Sequence, residues 1–180
     1  TEKELYHQLT RVLRARVDQQ VIFFDGIKLE DHLYVMVHIN KNTVSFRKEE
    51  ILEKSSELQN ELTLYQALPN KLSKLETIVQ KCSEVGYKKI IFFESERSQK
   101  FVLSDNKKLR LQKIAIEAVE RCNWNIVPEI EYREDITELV DWISLLCHTQ
   151  WEKSQSLWDI AVQDNINIIV GAEGWLSEKE

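Results

Sequence analysis

The chain has 180 residues, 43% apolar and 30% charged, with a net charge of −6. That size allows one substantial core or two modest ones, and the balance is that of a globular protein rather than a disordered or fibrous one. No apolar run approaches the about 20 residues a membrane-spanning helix needs and no signal-peptide pattern opens the chain, so a cytoplasmic protein with no membrane partner is expected. Cys82, Cys122 and Cys147 are odd in number and far apart, which argues against a disulfide framework. No residue spacing suggests a metal, and Cys147 next to His148 reads as a buried strand cysteine.

Leu5, Leu9, Val12 and Leu13 recur at helical spacing, with His7, Arg11 and Arg14 on the polar side. Residues 21–24, an Asp25-Gly26 turn, then residues 33–39 and 43–46 read as short strands of a small β-rich module. Residues 48–60, rich in Glu and Lys, read as a linker. From Glu61 the pattern becomes alternating strands and helices. A strand at 62–68 is closed by Pro69, and Leu72, Leu75, Ile78, Val79, Cys82 and Val85 mark one face of a helix capped by Gly86. A strand at 89–93 and a basic loop precede a long helix whose inward face is Leu109, Leu111, Ile114, Ala115, Ala118 and Val119. Pro128 ends that unit. A short helix around 136–142, a strand around 145–148, a helix around 157–162 and a strand at 166–170 follow. Such alternation implies an α/β domain with a parallel sheet covered on both faces, and in such sheets ligands gather beyond the carboxyl ends of the strands.

The loops after Phe93 and after Val170 are therefore candidates to share a site. The apolar strand 166–170 runs into Gly171-Ala172-Glu173-Gly174-Trp175, and two of the four glycines of the chain lie there. Closely spaced glycines let backbone approach a ligand; an ordinary strand-to-helix turn fits the same pattern. A phosphate loop does not, since no Lys-Ser or Lys-Thr follows. Arg97, Lys100, Lys107, Lys108, Arg110 and Lys113 face only Asp105 in their stretch, and Lys3, Arg11, Arg14 and Arg16 outnumber Glu2 and Glu4. Clustered cations suit phosphate contacts, although a solvated face reads the same way.

Residues 80–87 (Gln-Lys-Cys-Ser-Glu-Val-Gly-Tyr), 95–98 (Ser-Glu-Arg-Ser), 112–118 (Gln-Lys-Ile-Ala-Ile-Glu-Ala), 127–130 (Val-Pro-Glu-Ile) and 171–174, with 7–14 and 24–26 near the start, stand in an ordered set. That set resembles the ribosomal RNA small subunit methyltransferase E family of the SPOUT class. The resemblance implies a PUA-like, RNA-binding β-barrel over 1–58 and an α/β-knot methyltransferase domain over 59–180. It also implies a dimer that moves a methyl group from S-adenosylmethionine to N3 of a uridine in small-subunit ribosomal RNA, free or in a ribosomal particle.

Methyl transfer needs positioning above all, which assigns the cofactor loop to Gly171, Ala172, Glu173 and Gly174. A cation near the uridine N3 would stabilise charge as its proton leaves; Arg97 is the candidate, a phosphate clamp or an ion pair with Glu96 or Glu173 being its other readings. His7, Arg11, Arg14, Lys100, Lys107, Lys108 and Arg110 are candidates to hold RNA. The chain departs from the family at Arg121, Asn123, Trp124, Ala172 and Trp175. It also lacks the family's first barrel strand and, beyond Glu180, its last strand, glycine loop and helix, so a chain truncated at both ends is expected. A non-catalytic RNA- or ribosome-binding homologue is the alternative.

Overall fold

The computed structural model describes residues 2–53, 57–97, 103–136, 143–147, 156, 165–172, 176 and 177, and the chain divides into two units, Thr1–Ser55 and Ser56–Glu180. In the first unit helix α1 (Glu2–His7) runs into a π-type turn, Gln8–Val12. The Leu13 N–H reaches the Gln8 carbonyl at 2.9 Å and the Ala15 N–H the Leu9 carbonyl at 2.8 Å. This wider turn breaks the 3.6-residue period, so of the four apolar residues expected on one face only Leu9 is buried, while Leu5, Val12 and Leu13 are exposed.

Three antiparallel strands follow, β1 (Gln20–Phe23), β2 (Glu30–Ile39) and β3 (Val44–Glu53), in the order β1-β2-β3. The turn after β1 forms as the Asp-Gly pair predicts: the Asp25 carboxylate accepts the N–H groups of Ile27 and Lys28 at 2.8 Å each, with Gly26 at φ 80°. Those two amides, Lys28 first, hold the Asp25 carboxyl below its ordinary range. Phe23, Tyr34 and Phe46 meet edge to face, with centroids 5.2 to 6.4 Å apart.

The linker expected at 48–60 is in its first half strand. Lys48 pairs with Tyr34 and Glu53 with Glu30. Charged side chains lower strand propensity, but here they point to solvent while the ladder to β2 satisfies the backbone.

The second unit contains β4 (Leu62–Ala67), α2 (Leu72–Val85), β5 (Lys89–Phe93), α3 (Asp105–Cys122), β6 (Glu129–Arg133), β7 (Ile143–Cys147) and β8 (Ile166–Val170). The five strands are all parallel, in the order β6-β5-β4-β8-β7. Alternation splits each strand between two cores: Leu64, Ile90 and Phe92 pack with Leu75 and Val79 of α2 and Leu111 and Ala115 of α3, while Tyr65, Ala67, Ile91, Phe93 and Ile169 form the other.

Several expectations are corrected here. Pro128 does not end a unit but precedes β6, whose Ile130 and Tyr132 join the helix-side core while Glu131 pairs with Arg133 at 2.7 Å and with Lys89 of β5. Alternation of charge and apolar side chains is what a half-covered strand shows. Leu109, 68% exposed, lies off the α3 face set by Leu111, Ala115 and Ala118, and Val85 lies off that of α2. Cys147 is exposed, because β7 is an edge strand of the described sheet. The helices expected near 136–142 and 157–162 lie almost wholly outside the described residues.

At the amino-terminal edge of this sheet the connections are locked. The Glu57 carboxylate, its side chain 6% exposed, pairs with Lys88 and accepts the N–H groups of Asn125 at 2.6 Å and Ile126 at 3.1 Å. Burial alone would raise this carboxyl; the Lys88 ammonium and the two amides outweigh it and hold it below its ordinary value. The Trp124 indole N–H donates to the Glu84 carbonyl at 3.0 Å. Gly86 caps α2 at φ 93°, where a Cβ would lie 3.3 Å from Leu58 and 3.4 Å from Trp124.

Candidate functional site

The opposite edge is where the strands end. Ala67 pairs with Phe93 and Gln66 with Val170, so β5, β4 and β8 end side by side, and at about 4.8 Å per strand the exits of β5 and β8 lie about 10 Å apart. The two loops expected to share a site thus flank the end of β4. Because α2 and α3 each follow a strand, their amino ends face this edge too, with the amide-rich end of the dipole.

Gln66, only 7% exposed, ties the exits together. Its side-chain N–H groups donate to the carbonyls of Ala67 at 2.9 Å, Gly171 at 3.3 Å and Val170 at 3.4 Å. On the other side of β4 the Leu68 N–H donates to the Phe93 carbonyl at 2.8 Å. Next along the chain, the Asn70 Oδ1 is buried without a partner among the described residues. Neither Gln66 nor Asn70 stood out in the sequence. The signal was there for Gln66, a polar residue in an apolar strand just ahead of a proline, since a buried amide must find partners.

Beyond β5 the Glu94 N–H reaches the Arg133 carbonyl at 3.2 Å, and buried Ser95 accepts the Arg97 N–H at 3.4 Å. Arg97 is exposed and forms no ion pair among the described residues. Lys107, Lys108 and Arg110 lie on the first two turns of α3, at the carboxyl edge. Lys108 sits 5.0 Å over the Tyr132 ring, and Arg110 pairs with Glu76 of α2 at 2.5 Å. In the first unit His7 ends α1, Arg11 lies in the π-type turn and Arg14 just after it at φ 51°, all three exposed. Gly171 and Ala172 leave β8, whereas Glu173, Gly174, Trp175 and Lys100 lie outside the described residues. Trp124, one of the departures behind the non-catalytic alternative, stands at the amino-terminal edge, a strand length of about 16 Å from these exits, and serves packing there. No helix among the described residues is long and apolar enough to cross a membrane.

The profile of the RNA methyltransferase domain matches residues 56–180, well over half of the chain. Ribosomal RNA small subunit methyltransferase E of Buchnera aphidicola is 30% identical over 128 residues, 69% of this chain. The chain belongs to the ribosomal RNA small subunit methyltransferase E family. The matched segment spans 50% of the Buchnera relative's length. Among solved structures, a Legionella pneumophila protein described as a methyltransferase with its cofactor SAM bound is 25% identical with a TM-score of 0.83, the match covering 98% of this chain and 75% of that one. A Neisseria gonorrhoeae ribosomal RNA small subunit methyltransferase E bound to S-adenosylmethionine has the same fold, at 22% identity and a TM-score of 0.83 over 98% of this chain and 75% of that one. For a methyltransferase E relative, the parallel sheet is the described frame of the matched domain.

Proposed function

We propose that this methyltransferase E relative transfers a methyl group from S-adenosylmethionine to N3 of a uridine in small-subunit ribosomal RNA, at the carboxyl edge of its parallel sheet. The observation that carries the reading is the convergence there of the β5, β4 and β8 exits, with Gly171 tied to Gln66, beside the basic first turns of α3. The S-adenosylmethionine-bound structures from Legionella and Neisseria support the choice of donor.

The residues present suit such a donor. Adenosyl and amino-acid groups are held by backbone N–H and C=O groups and by fixed polar side chains; Gly171 and Ala172 offer the first, and the Asn70 Oδ1, without a partner among the described residues, is an acceptor for a cofactor N–H or O–H. When bound, S-adenosylmethionine supplies a methyl carbon made electrophilic by its sulfonium. The protein's share is then orientation and charge. Loop 171–174 grips the cofactor, and Arg97 faces the uracil, where its guanidinium steadies the negative charge left on the ring as the N3 proton departs. Lys100, Lys107, Lys108 and Arg110 hold phosphates. The first unit, Thr1–Ser55 rather than the 1–58 expected, serves as a PUA-like barrel presenting His7, Arg11 and Arg14 to RNA, with Ser56–Glu180 forming the methyltransferase domain, and the protein works as a homodimer in the cytoplasm.

The test is incubation with labelled S-adenosylmethionine and small-subunit ribosomal RNA or particles, followed by digestion and mass spectrometry of the nucleosides. 3-Methyluridine is expected. RNA binding without any transferred methyl would end the catalytic reading in favour of an RNA-associating homologue.

A further inference from the structure

The pairing of β4 with β8 ends at Gln66 opposite Val170, and beyond it β4 has little left to offer. The Leu68 N–H already goes to Phe93 on β5, and Pro69 has none. Alternation turns the Ala67 N–H toward β8, at the Val170 carbonyl, and so leaves the Gly171 carbonyl without a donor from the next residues of β4. The Gln66 carboxamide takes that place. A carboxamide is the uncharged group that brings two N–H donors on a side chain of this length, and both are directed at the three carbonyls of Ala67, Val170 and Gly171.

This bond has a consequence for the next atom along. In a trans peptide the C=O and the following N–H point in opposite directions, and no cis peptide occurs among the described residues. With its carbonyl drawn toward β4, the Gly171–Ala172 peptide must turn the Ala172 N–H away from β4. We infer that Gln66 is a positioning residue that orients the Gly171–Ala172 peptide and so presents the Ala172 N–H as a donor to an acceptor atom of the cofactor. The inference rests on the methyl-donor reading above. Gln66 acts through the loop and need not touch the cofactor.

The test uses Q66M, which keeps length and volume but donates nothing, and Q66E, which places a carboxylate against three carbonyls and regains an O–H donor when protonated. Wild type and variants are titrated calorimetrically with S-adenosylmethionine, and amide hydrogen exchange is followed without it and at saturation. In Q66M, exchange at Gly171 and Ala172 in the cofactor-saturated protein should rise about tenfold while the amides of β8 hold their protection, and cofactor affinity should fall about tenfold, as for one lost hydrogen bond of fixed geometry. In Q66E, affinity should recover as pH is lowered, with no such recovery in Q66M. Unchanged exchange at Gly171 and Ala172, or unchanged affinity, overturns the role of Gln66. So does an equal rise in exchange along all of β8, which would mark a structural residue. No affinity in the wild type would instead overturn the donor reading itself, and the inference with it, whatever the exchange shows.

Discussion

The two edges of the parallel sheet are built on opposite plans. At the amino-terminal edge charged and polar groups are spent on one another: Glu57 with Lys88 and two amides, Trp124 with Glu84, Gly86 fitted against Leu58 and Trp124. At the carboxyl edge Arg97 stands exposed, and one carboxamide organises the strand exits. Interactions closed within the protein hold a fold, whereas groups left open serve something that arrives from outside. The difference places fold-holding interactions at one edge and leaves the other to the proposed chemistry.

Substitutions at each edge should therefore separate the two properties. The largest effect is expected from Glu57→Ala, which leaves the Lys88 ammonium, with 18% of its side chain exposed, and two amides without their acceptor; a loss of about 3 kcal/mol in urea unfolding is expected, with cofactor affinity of the folded protein unchanged. Next is Arg97→Ala at the other edge. Methyl transfer should fall about a hundredfold, as for removal of one charge-stabilising donor, while stability stays within about 0.5 kcal/mol because the side chain is exposed. Gly86→Ala forces a Cβ into the left-handed region at φ 93° and against Leu58, and should lower stability by about 1–2 kcal/mol. Trp124→Phe removes the indole donor to Glu84 and the outer part of the ring beside Gly86, and should lower it by about 1–2 kcal/mol.

The same edge sets an acid limit. The folded Glu57 carboxyl titrates below its ordinary value of 4.5, so its contribution is complete above that pH and is lost as pH falls through the lower folded value. Urea midpoints measured down this range should drop more steeply for the wild type than for Glu57→Gln; parallel curves would show that the pair contributes nothing.

The parallel sheet was legible because a buried parallel strand is a dense apolar run, as in residues 89–93 and 166–170. The strand β6 was not, since Glu129-Ile130-Glu131-Tyr132-Arg133 carries charge on one face and its neighbour Lys89, which makes those charges compatible with a sheet, is forty positions away in the sequence. Residues 48–53 misread as a linker for a related reason: their partner β2, not their own side chains, makes them a strand. At the site, the glycine after β8 and the arginine after β5 could be marked from local pattern and from resemblance. Gln66 could be marked only as a polar residue in an apolar strand; its role could not be read, because it depends on Leu68 having turned to β5 and on β8, 104 positions later, arriving beside it.

That arrival has its own outcome for how the protein is made. β8 slots between β4 and β7, and the Glu61 N–H that opens β4 bonds to the Asn165 side chain 104 positions later. Contacts closing so long a loop form late and slowly, so during synthesis on the ribosome β4 and β5 can pair and be covered by α2 well before β8 joins them. Among the described strands, the central place between β4 and β7 is thus filled only once β8 has been translated.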